Sequence, residues 1–346
     1  MTVAESPTTS SATAREVKRI SIVAPMLNEA RFVGNLLADI AAQDFAGDIQ
    51  LLVADGGSTD GSCELLQAGA AVRGLQLELI ENPSRLVSSG LNECIKRADG
   101  DLVVRLDCHA RYPGNYLRLC AETAEETDAL NVGGVVKPVG KTPMERAVST
   151  AMSSAFGGIG WTRHAGGAQR IEVDTVTYGA FRPEAFVIAG MFDPTLVRNQ
   201  DDEFNLRLRR AGGRIILDPR IEVGYTPRGS WGAVFRQYYG YGFWKVSVMR
   251  KHGRILSLRS LAPAGMLASL LGLAATAAIV PVAGALLGVE VMLYALAAIV
   301  SAAHAARTRG ETMSLAVRTA FVFPAFHLGY GSGMLVGMAR ALSRTT

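Results

Sequence analysis

Four short apolar runs in the first part of the chain each stop on polar residues, and a helix-length stretch follows each of the first three. RISIVAP (19–25) leads into Asn28 and Glu29, DIQLLVAD (48–55) ends on Asp55, LQLELIEN (75–82) on Asn82, and DLVVRLD (101–107) on Asp107. Between them, FVGNLLADIAAQ, SCELLQAGAAVRG and SSGLNECIKRA repeat apolar residues at three- and four-residue spacing. Strands separated by helices of this length predict βαβ units and a mainly parallel sheet. In such a sheet, ligands bind beyond the carboxyl ends of the strands. A single acidic strand end is usually a cap or a turn. Four polar strand ends converging on one edge predict a site.

After Leu261 the chain changes character. Residues 261–306 carry Glu290 as their only formal charge. About twenty apolar residues cross a bilayer, so this run predicts two transmembrane helices with a tight turn near Gly288 to Glu290. A third segment, TAFVFPAFHLGYGSGMLVGMA (319–339), carries Pro324, His327 and several glycines, and fits spanning or interfacial placement equally. Basic residues in WKVSVMRKHGRILSLRS precede the hairpin and more follow it in RTRGETMSLAVR, whereas the turn has none. This asymmetry puts the N-terminal domain in the cytoplasm, anchored at the inner membrane by a multi-pass region, with the basic segment facing anionic lipid. The composition is 49% apolar and 19% charged, so it averages two different materials. A net charge of +4 is too small to imply nucleic acid. Cys63, Cys94, Cys108 and Cys120 have no paired spacing, which argues against a disulfide framework or a zinc site and for a reducing compartment. The first nineteen residues, rich in Ser, Thr and Ala, lack the apolar core of a secretory signal. The expected division is a disordered tail over 1–18, an α/β domain over 19–255, and a membrane region over 256–346 with two to three helices.

Candidate chemistry lies at the strand ends. Asp107 and His109, one residue apart where a strand becomes a loop, suit a divalent cation of the manganese or magnesium kind. That pair alone is common by chance. In DGGSTDG, Asp55 ends a strand, two glycines turn the backbone, and Asp60 opens a helix, an arrangement that serves a capped turn or close approach to a nucleotide. RNQDDEFNLRLRRAGG places Asp201, Asp202 and Glu203 at a helix start, more acid than capping needs, and one of them suits a general base.

PMLNEA, VADGGSTDGS, RLDCHARY and QDDEFNLRLRRAGG, in this order and spacing, resemble the family 2 glycosyltransferases of GT-A fold, from about Arg19 to about Lys251. The D-x-H variant and the C-terminal hairpin most resemble the family's bacterial exopolysaccharide branch. The resemblance implies an α/β GT-A nucleotide-sugar-binding domain with a mainly parallel central sheet, followed by a C-terminal helical transmembrane region. It further implies that Pro25, Asn28 and Glu29 line the nucleotide pocket and that Asp55 and Asp60 contact uracil and ribose. Asn82, Ser89 and Asn92 complete that wall. Asp107 and His109 hold Mn2+ or Mg2+ against the diphosphate, with Arg105 close by. Alignment on LRLRRAGG puts Gln200 where the family usually has Glu, and Asp201 at the base, with adjacent Asp202 the alternative. Thr177, in VDTVTYGAFR, falls on the acceptor side. Arg236 and Lys245, in RQYYGYGFWK, are candidates near the diphosphate, although the familiar Gln-x-x-Arg-Trp is absent. The aromatics of that segment, Tyr238, Tyr239, Tyr241, Phe243 and Trp244, fit an interfacial belt equally well.

The implied reaction is a single inverting displacement from a nucleotide-diphosphate donor, UDP-hexose, onto a polyprenyl-diphosphate-linked glycan, with membrane lipid as a further partner. Two alternatives stand beside it: a polyprenyl-phosphate monosaccharide synthase, and an inactive membrane scaffold that keeps the nucleotide fold. The helix dipole is expected to keep Asp201 ionised, and Asp202, about 100° further round the helix, is expected to point elsewhere.

Overall fold

The structure, a computed structural model, describes residues 15–157, 169–253 and 258–343. Most of the expected disordered tail and the Arg254–Ser257 part of the basic segment lie outside these residues.

The four predicted strands and three predicted helices form in order. They are β1 (Arg19–Met26), α1 (Ala30–Ala41), β2 (Asp48–Asp55), α2 (Ser62–Val72), β3 (Gln76–Glu81), α3 (Val87–Ile95) and β4 (Leu102–Arg105). β3, β2, β1 and β4 lie side by side in that order, all parallel. The chain winds outward from β1 through β2 to β3, then returns to β4 on the other side. The strand order therefore reverses between β1 and β4, and the loops after them open a crevice there.

Alternation along the strands sends side chains into two separate cores. Ile20, Ile22, Ala24, Leu51 and Val53 pack with Val33, Leu36, Leu37 and Ile40 of α1. Val23, Leu52, Ala54 and Val103 face the opposite layer, with Leu91 and Cys94 of α3. Burial on both faces explains why these strands read as nearly unbroken apolar runs.

The second half extends the sheet in mixed sense. Its elements are β5 (Ala110–Arg111), α4 (Tyr116–Glu126), β6 (Asn131–Pro138), α5 (Pro143–Met152), β7 (Ile171–Glu172), β8 (Ala180–Phe181), α6 (Glu184–Ala189), α7 (Gln200–Arg210) and β9 (Ile215–Tyr225). β8 joins β4 to β6 antiparallel to both, β9 runs parallel to β6, and β5 and β7 pair antiparallel with β9. Phe181, Phe192 and Phe204 meet edge-on or tilted in the second core and anchor α7 beneath the site.

Four helices close the chain: α8 (Trp231–His252), α9 (Ala262–Thr276), α10 (Pro281–Thr308) and α11 (Met313–Leu342). The hairpin turn falls at 277–280, not at Gly288 to Glu290, which lie inside α10. Pro281 explains the shift. Proline suits the first turn of a helix, where its missing N–H is not needed, and it forces the preceding residue into extended geometry. Val280 accordingly has φ −121° and ψ 101°. Residues 258–276 and 281–308 are long and apolar enough to cross a membrane by length and composition. Only 6% and 11% of their most apolar windows are buried, so they are not core helices of a globular domain.

The third apolar segment behaves differently. α11 lies along α8 with twelve residues buried, among them Phe323, Phe326 and Met334. Gly329, Gly333 and Gly337, each four apart and therefore on one face, meet the backbone of Phe235, Tyr239 and Phe243, also four apart. A Cβ on Gly333 would lie 2.0 Å from the Tyr239 carbonyl oxygen, and one on Gly242 would lie 2.0 Å from that of Tyr330. Small residues thus let the two backbones touch. Gly333→Val is expected to cost on the order of 3 kcal/mol or more by overpacking. Gly265→Ala on α9, where nothing lies within 4 Å, is expected to be neutral. Thermal melts of detergent-solubilised protein check the pair.

Candidate active site

The first wall of the crevice is a loop held by its own acids. The Asp55 carboxylate accepts from the Gly57 N–H at 2.9 Å, the Ser58 N–H at 3.0 Å and the Ser58 hydroxyl at 2.6 Å. Burial works against its charge, but these donors prevail and hold the carboxyl below its usual range. Asp60 accepts from the Ser62 hydroxyl and from the Ala30 N–H at 3.0 Å, and it too is lowered, chiefly by Ser62. Asn28, in the left-handed region at φ 55°, accepts from the Thr59 N–H at 2.9 Å and donates its own N–H to the Ser58 hydroxyl at 2.8 Å. The loops after β1 and β2 are therefore one fastened unit. Gly57 and Gly61 supply the left-handed turns that no β-carbon would favour.

The loop after β3 fits against it. Asn82 is buried and turned into its own loop, donating to the Leu86 carbonyl at 3.0 Å and accepting from the Ser84 hydroxyl at 2.7 Å. Arg85, at φ 59°, carries its guanidinium over Gly57. Ser89 is half-buried on α3. Asn92 clasps the Phe192 backbone at two points, 2.8 and 3.0 Å, tying α3 to the approach to α7. Pro25 accepts from the Cys108 thiol at 3.7 Å.

The end of β4 holds the densest charge. Arg105 is buried, its guanidinium lying 3.2 Å from Asp107 and also bonded to Asp201 at the start of α7. Burial opposes its charge, but the two carboxylates outweigh burial and raise its pKa. Asp201 is raised as well. Burial dominates and the nearby Asp107 and Asp202 add to it, against the opposing pull of Arg105. Desolvation and the neighbouring acids thus act on Asp201 in the opposite sense to the dipole of the helix that it opens.

The three acids of α7 go to three different places. Asp201 meets Arg105, Asp202 meets the Lys245 ammonium at 3.0 Å, and fully buried Glu203 is held by Arg207, Lys251 and His252 at 2.9, 2.7 and 3.0 Å. Asp201 and Asp202 do point apart. Glu203 locks α7 to the end of α8.

His109 stands beside Asp107 with Nδ1 3.6 Å from Glu29, whose hydrogen bonding raises the imidazole pKa against burial. With Glu29 on the Nδ1 side, Nε2 is the ring nitrogen left open to a ligand. Among the described residues no group of three or more His, Cys, Asp or Glu is arranged to hold a metal ion, so Asp107 and His109 offer two donors only. Asp107 is itself fixed by its N–H, which donates to the Tyr112 hydroxyl at 2.7 Å.

The residues expected on the acceptor or diphosphate side divide. Thr177 is half-buried next to Tyr178, which holds a left-handed φ of 57° and whose carbonyl accepts from the Tyr116 hydroxyl at 2.9 Å. Lys245 reaches the site through Asp202. Arg236 is exposed, lies against Gly232 on its own helix, and makes no ion pair among the described residues. Sequence reasoning passed over Arg85, Arg198, Tyr225, Gln237 and the pairing of Tyr241. Gln237 donates to the Tyr225 and Tyr241 hydroxyls, both at 2.9 Å, and the Arg198 guanidinium lies 5.5 Å from the Tyr241 ring centre. Gln237 and Tyr241 share a helix face at four-residue spacing. Nothing in the sequence says that Tyr225 of β9 lies across from them.

A mainly parallel sheet with a polar crevice at its switch point and a charge bridge across it is an α/β architecture that places a ligand site at that edge. The model of Glycosyl transferase family 2 matches residues 21–181. The succinoglycan biosynthesis protein ExoA of Rhizobium meliloti is 31% identical over 244 residues, covering 70% of this chain and 73% of that protein. The chain belongs to glycosyl transferase family 2, and it is a glycosyltransferase. A dolichyl N-acetyl-α-D-glucosaminyl phosphate 3-β-D-2,3-diacetamido-2,3-dideoxy-β-D-glucuronosyltransferase of Methanococcus voltae is 26% identical, covering 67% of this chain and 74% of its own length. The mannosyltransferase PcManGT of Pyrobaculum calidifontis, solved with GDP-Man and Mn2+, superposes with a TM-score of 0.65 at 19% identity, covering 94% of this chain and 88% of that one. That likeness shows a shared GT-A fold.

If Asp201 is the group that must lose its proton, kcat/KM falls as pH drops through its pKa. Burial raises that pKa, so the acid limb is expected above 3.8, the ordinary carboxylate value. Arg105 opposes the rise, so Arg105→Gln moves the limb to higher pH. A pH profile in which the limb stays put would show that another group titrates.

Proposed function

We propose that this enzyme transfers a hexose from a nucleoside-diphosphate donor, UDP-hexose, to a polyprenyl-diphosphate-linked glycan in exopolysaccharide or cell-envelope polysaccharide synthesis, with inversion. The observation that carries the reading is the buried Arg105 between Asp107 and Asp201. It fastens a cation-binding strand end to a proton-accepting helix start. Succinoglycan biosynthesis in the Rhizobium relative supports a polysaccharide product, and transfer onto a dolichyl-linked sugar phosphate in the Methanococcus relative supports a lipid-linked acceptor.

In this reading the fastened loops of Asn28, Glu29, Asp55 and Asp60 receive the nucleotide, with Pro25, Asn82, Ser89 and Asn92 shaping the wall behind them. Asp107 and His109 would hold Mn2+ or Mg2+, the remaining ligands coming from the diphosphate and water, as hard cations accept. When bound, the ion neutralises charge on the departing nucleoside diphosphate. Asp201 accepts the proton of the acceptor hydroxyl as that oxygen attacks the anomeric carbon. Arg105 positions Asp201, and Lys245 holds Asp202 aside. Thr177 lies on the acceptor side, and Arg236 is a candidate for the diphosphate. Residues 19–255 form the catalytic domain on the cytoplasmic side, and the two apolar helices within 256–346 anchor it in the inner membrane.

Incubating membranes with labelled nucleotide sugars and lipid extracts tests the activity, the expected product being a labelled lipid-linked glycan. Asp107→Ala is expected to abolish turnover and metal-dependent donor binding, and undiminished activity in excess chelator would refute the cation. Asp201→Asn is expected to lower kcat on the order of a hundredfold or more with donor binding little changed, whereas Asp202→Asn is milder. The reverse ranking in steady-state kinetics would make Asp202 the base. Carbonate-washed membranes are expected to retain the chain, and its release by high salt would show that charge alone holds it.

A further inference from the structure

The basic segment before the apolar hairpin is a lipid-facing patch when read as sequence, but three of its described basic side chains, Lys245, Lys251 and His252, meet acids of the catalytic domain instead. Lys245 pairs with Asp202, Lys251 with Asp193 and Glu203, and His252 with Glu203. Arg250 is exposed and forms no ion pair among the described residues. It faces a groove of about 300 Å³ between α8 and α11, whose walls include Phe243, Trp244 and Val246. The opposite rim carries Arg340, ninety positions later in the chain, with its guanidinium 5.9 Å from the Phe243 ring centre. Arg340 likewise has no carboxylate partner among the described residues, and no acidic side chain lines the groove. Its floor is Gly337, where a Cβ would lie 3.0 Å from the Phe243 carbonyl oxygen.

The height of this groove follows from its neighbours. Val246, Met249 and Met334 pack on Ala264 and Leu261, the first turn of α9. Gly331 touches the same turn, where a Cβ would meet the Pro263 carbonyl oxygen at 2.5 Å. The groove thus sits level with the start of the first apolar helix, where a membrane surface would lie on the anchoring reading.

We propose that this groove binds the headgroup of an anionic phospholipid. Arg250 and Arg340 take the phosphate from two sides, and Phe243, Trp244 and Val246 cover the glycerol and upper acyl chain. Two guanidinium groups without acid partners complement an anion, and planar guanidinium suits phosphate oxygens. The apolar wall is what distinguishes a lipid phosphate from a free one. This site would orient the crevice relative to the bilayer, because α8 also carries Lys245 and Gln237. The proposal rests on the anchoring reading above.

Trp244 provides the probe. Full-length protein is reconstituted into vesicles containing brominated phosphatidylglycerol or brominated phosphatidylcholine, and the quenching assigned to Trp244 is obtained by difference from Trp244→Phe. Quenching selective for phosphatidylglycerol is expected. In Arg250→Gln/Arg340→Gln the apparent affinity for that lipid should fall about thirtyfold, given the usual contribution of a basic residue at an anionic surface. Sugar transfer in detergent should be unchanged, which also reports an intact fold. Equal quenching by both lipids, or selectivity surviving the double substitution, would overturn the proposal. So would displacement by soluble glycerol phosphate, which marks a plain anion site, or by unbrominated polyprenyl phosphate at equimolar level, which marks an acceptor site. If neither vesicle type retains the protein, the anchoring reading fails and takes this site with it.

Discussion

The buried Arg105 guanidinium, bonded to Asp107 on one side and Asp201 on the other, is the interaction on which the site depends. It joins residues ninety-six positions apart. Without it, two carboxylates would lie near each other with their charges uncompensated, and breaking a buried pair of this kind costs about 3–5 kcal/mol. The bond also couples their chemistry. The guanidinium that bonds Asp107 also restrains the rise in the pKa of Asp201.

The surrounding architecture delivers these groups to each other. Reversal of strand order between β1 and β4 opens the crevice. The aromatic cluster of Phe181, Phe192 and Phe204 holds α7 against the sheet, and the Asn92 clasp on Phe192 ties the nucleotide side to the same helix. Glu203 then fastens α7 to the end of α8 through Lys251 and His252. α8 in turn rides on α11 through touching backbones. A continuous packed path therefore runs from the crevice to the start of the apolar hairpin, and the orientation of the hairpin bears on the orientation of the site.

Two polar devices serve the apolar helices themselves. Glu290, the only formal charge in residues 261–306, accepts from the Ser269 hydroxyl across the hairpin at 2.8 Å. His327 of α11 bonds the Tyr294 hydroxyl of α10 through Nδ1 and the Phe156 carbonyl through Nε2, both at 2.9 Å. A carbonyl can only accept, so Nε2 carries the proton and Nδ1 receives the tyrosine O–H. The neutral ring thus clasps α10, α11 and the segment after α5.

Much of the fold was legible in the sequence because period and burial are local properties. The runs at 19–25, 48–55, 75–82 and 101–107 became strands where the pattern put them, and the motif DGGSTDG became a capped loop because Asp, Ser and Gly act on their own backbone neighbours. What tertiary structure decided was every pairing between distant segments. Asp201, Asp202 and Glu203 are three consecutive acids in the chain, and the fold gives each a different partner. The turn of the hairpin moved to Pro281 because one proline's geometry outweighs an apolar average. The segment 319–339 reads as equally suited to membrane and interface, but its glycines take it to α8, since a glycine face is valuable only where a second backbone is present to meet it. Arg250 and Lys251 are adjacent letters of one basic run. One turns to buried acids and the other to an open groove, because successive helical residues differ by about 100° in direction and only the packed helix has an inside.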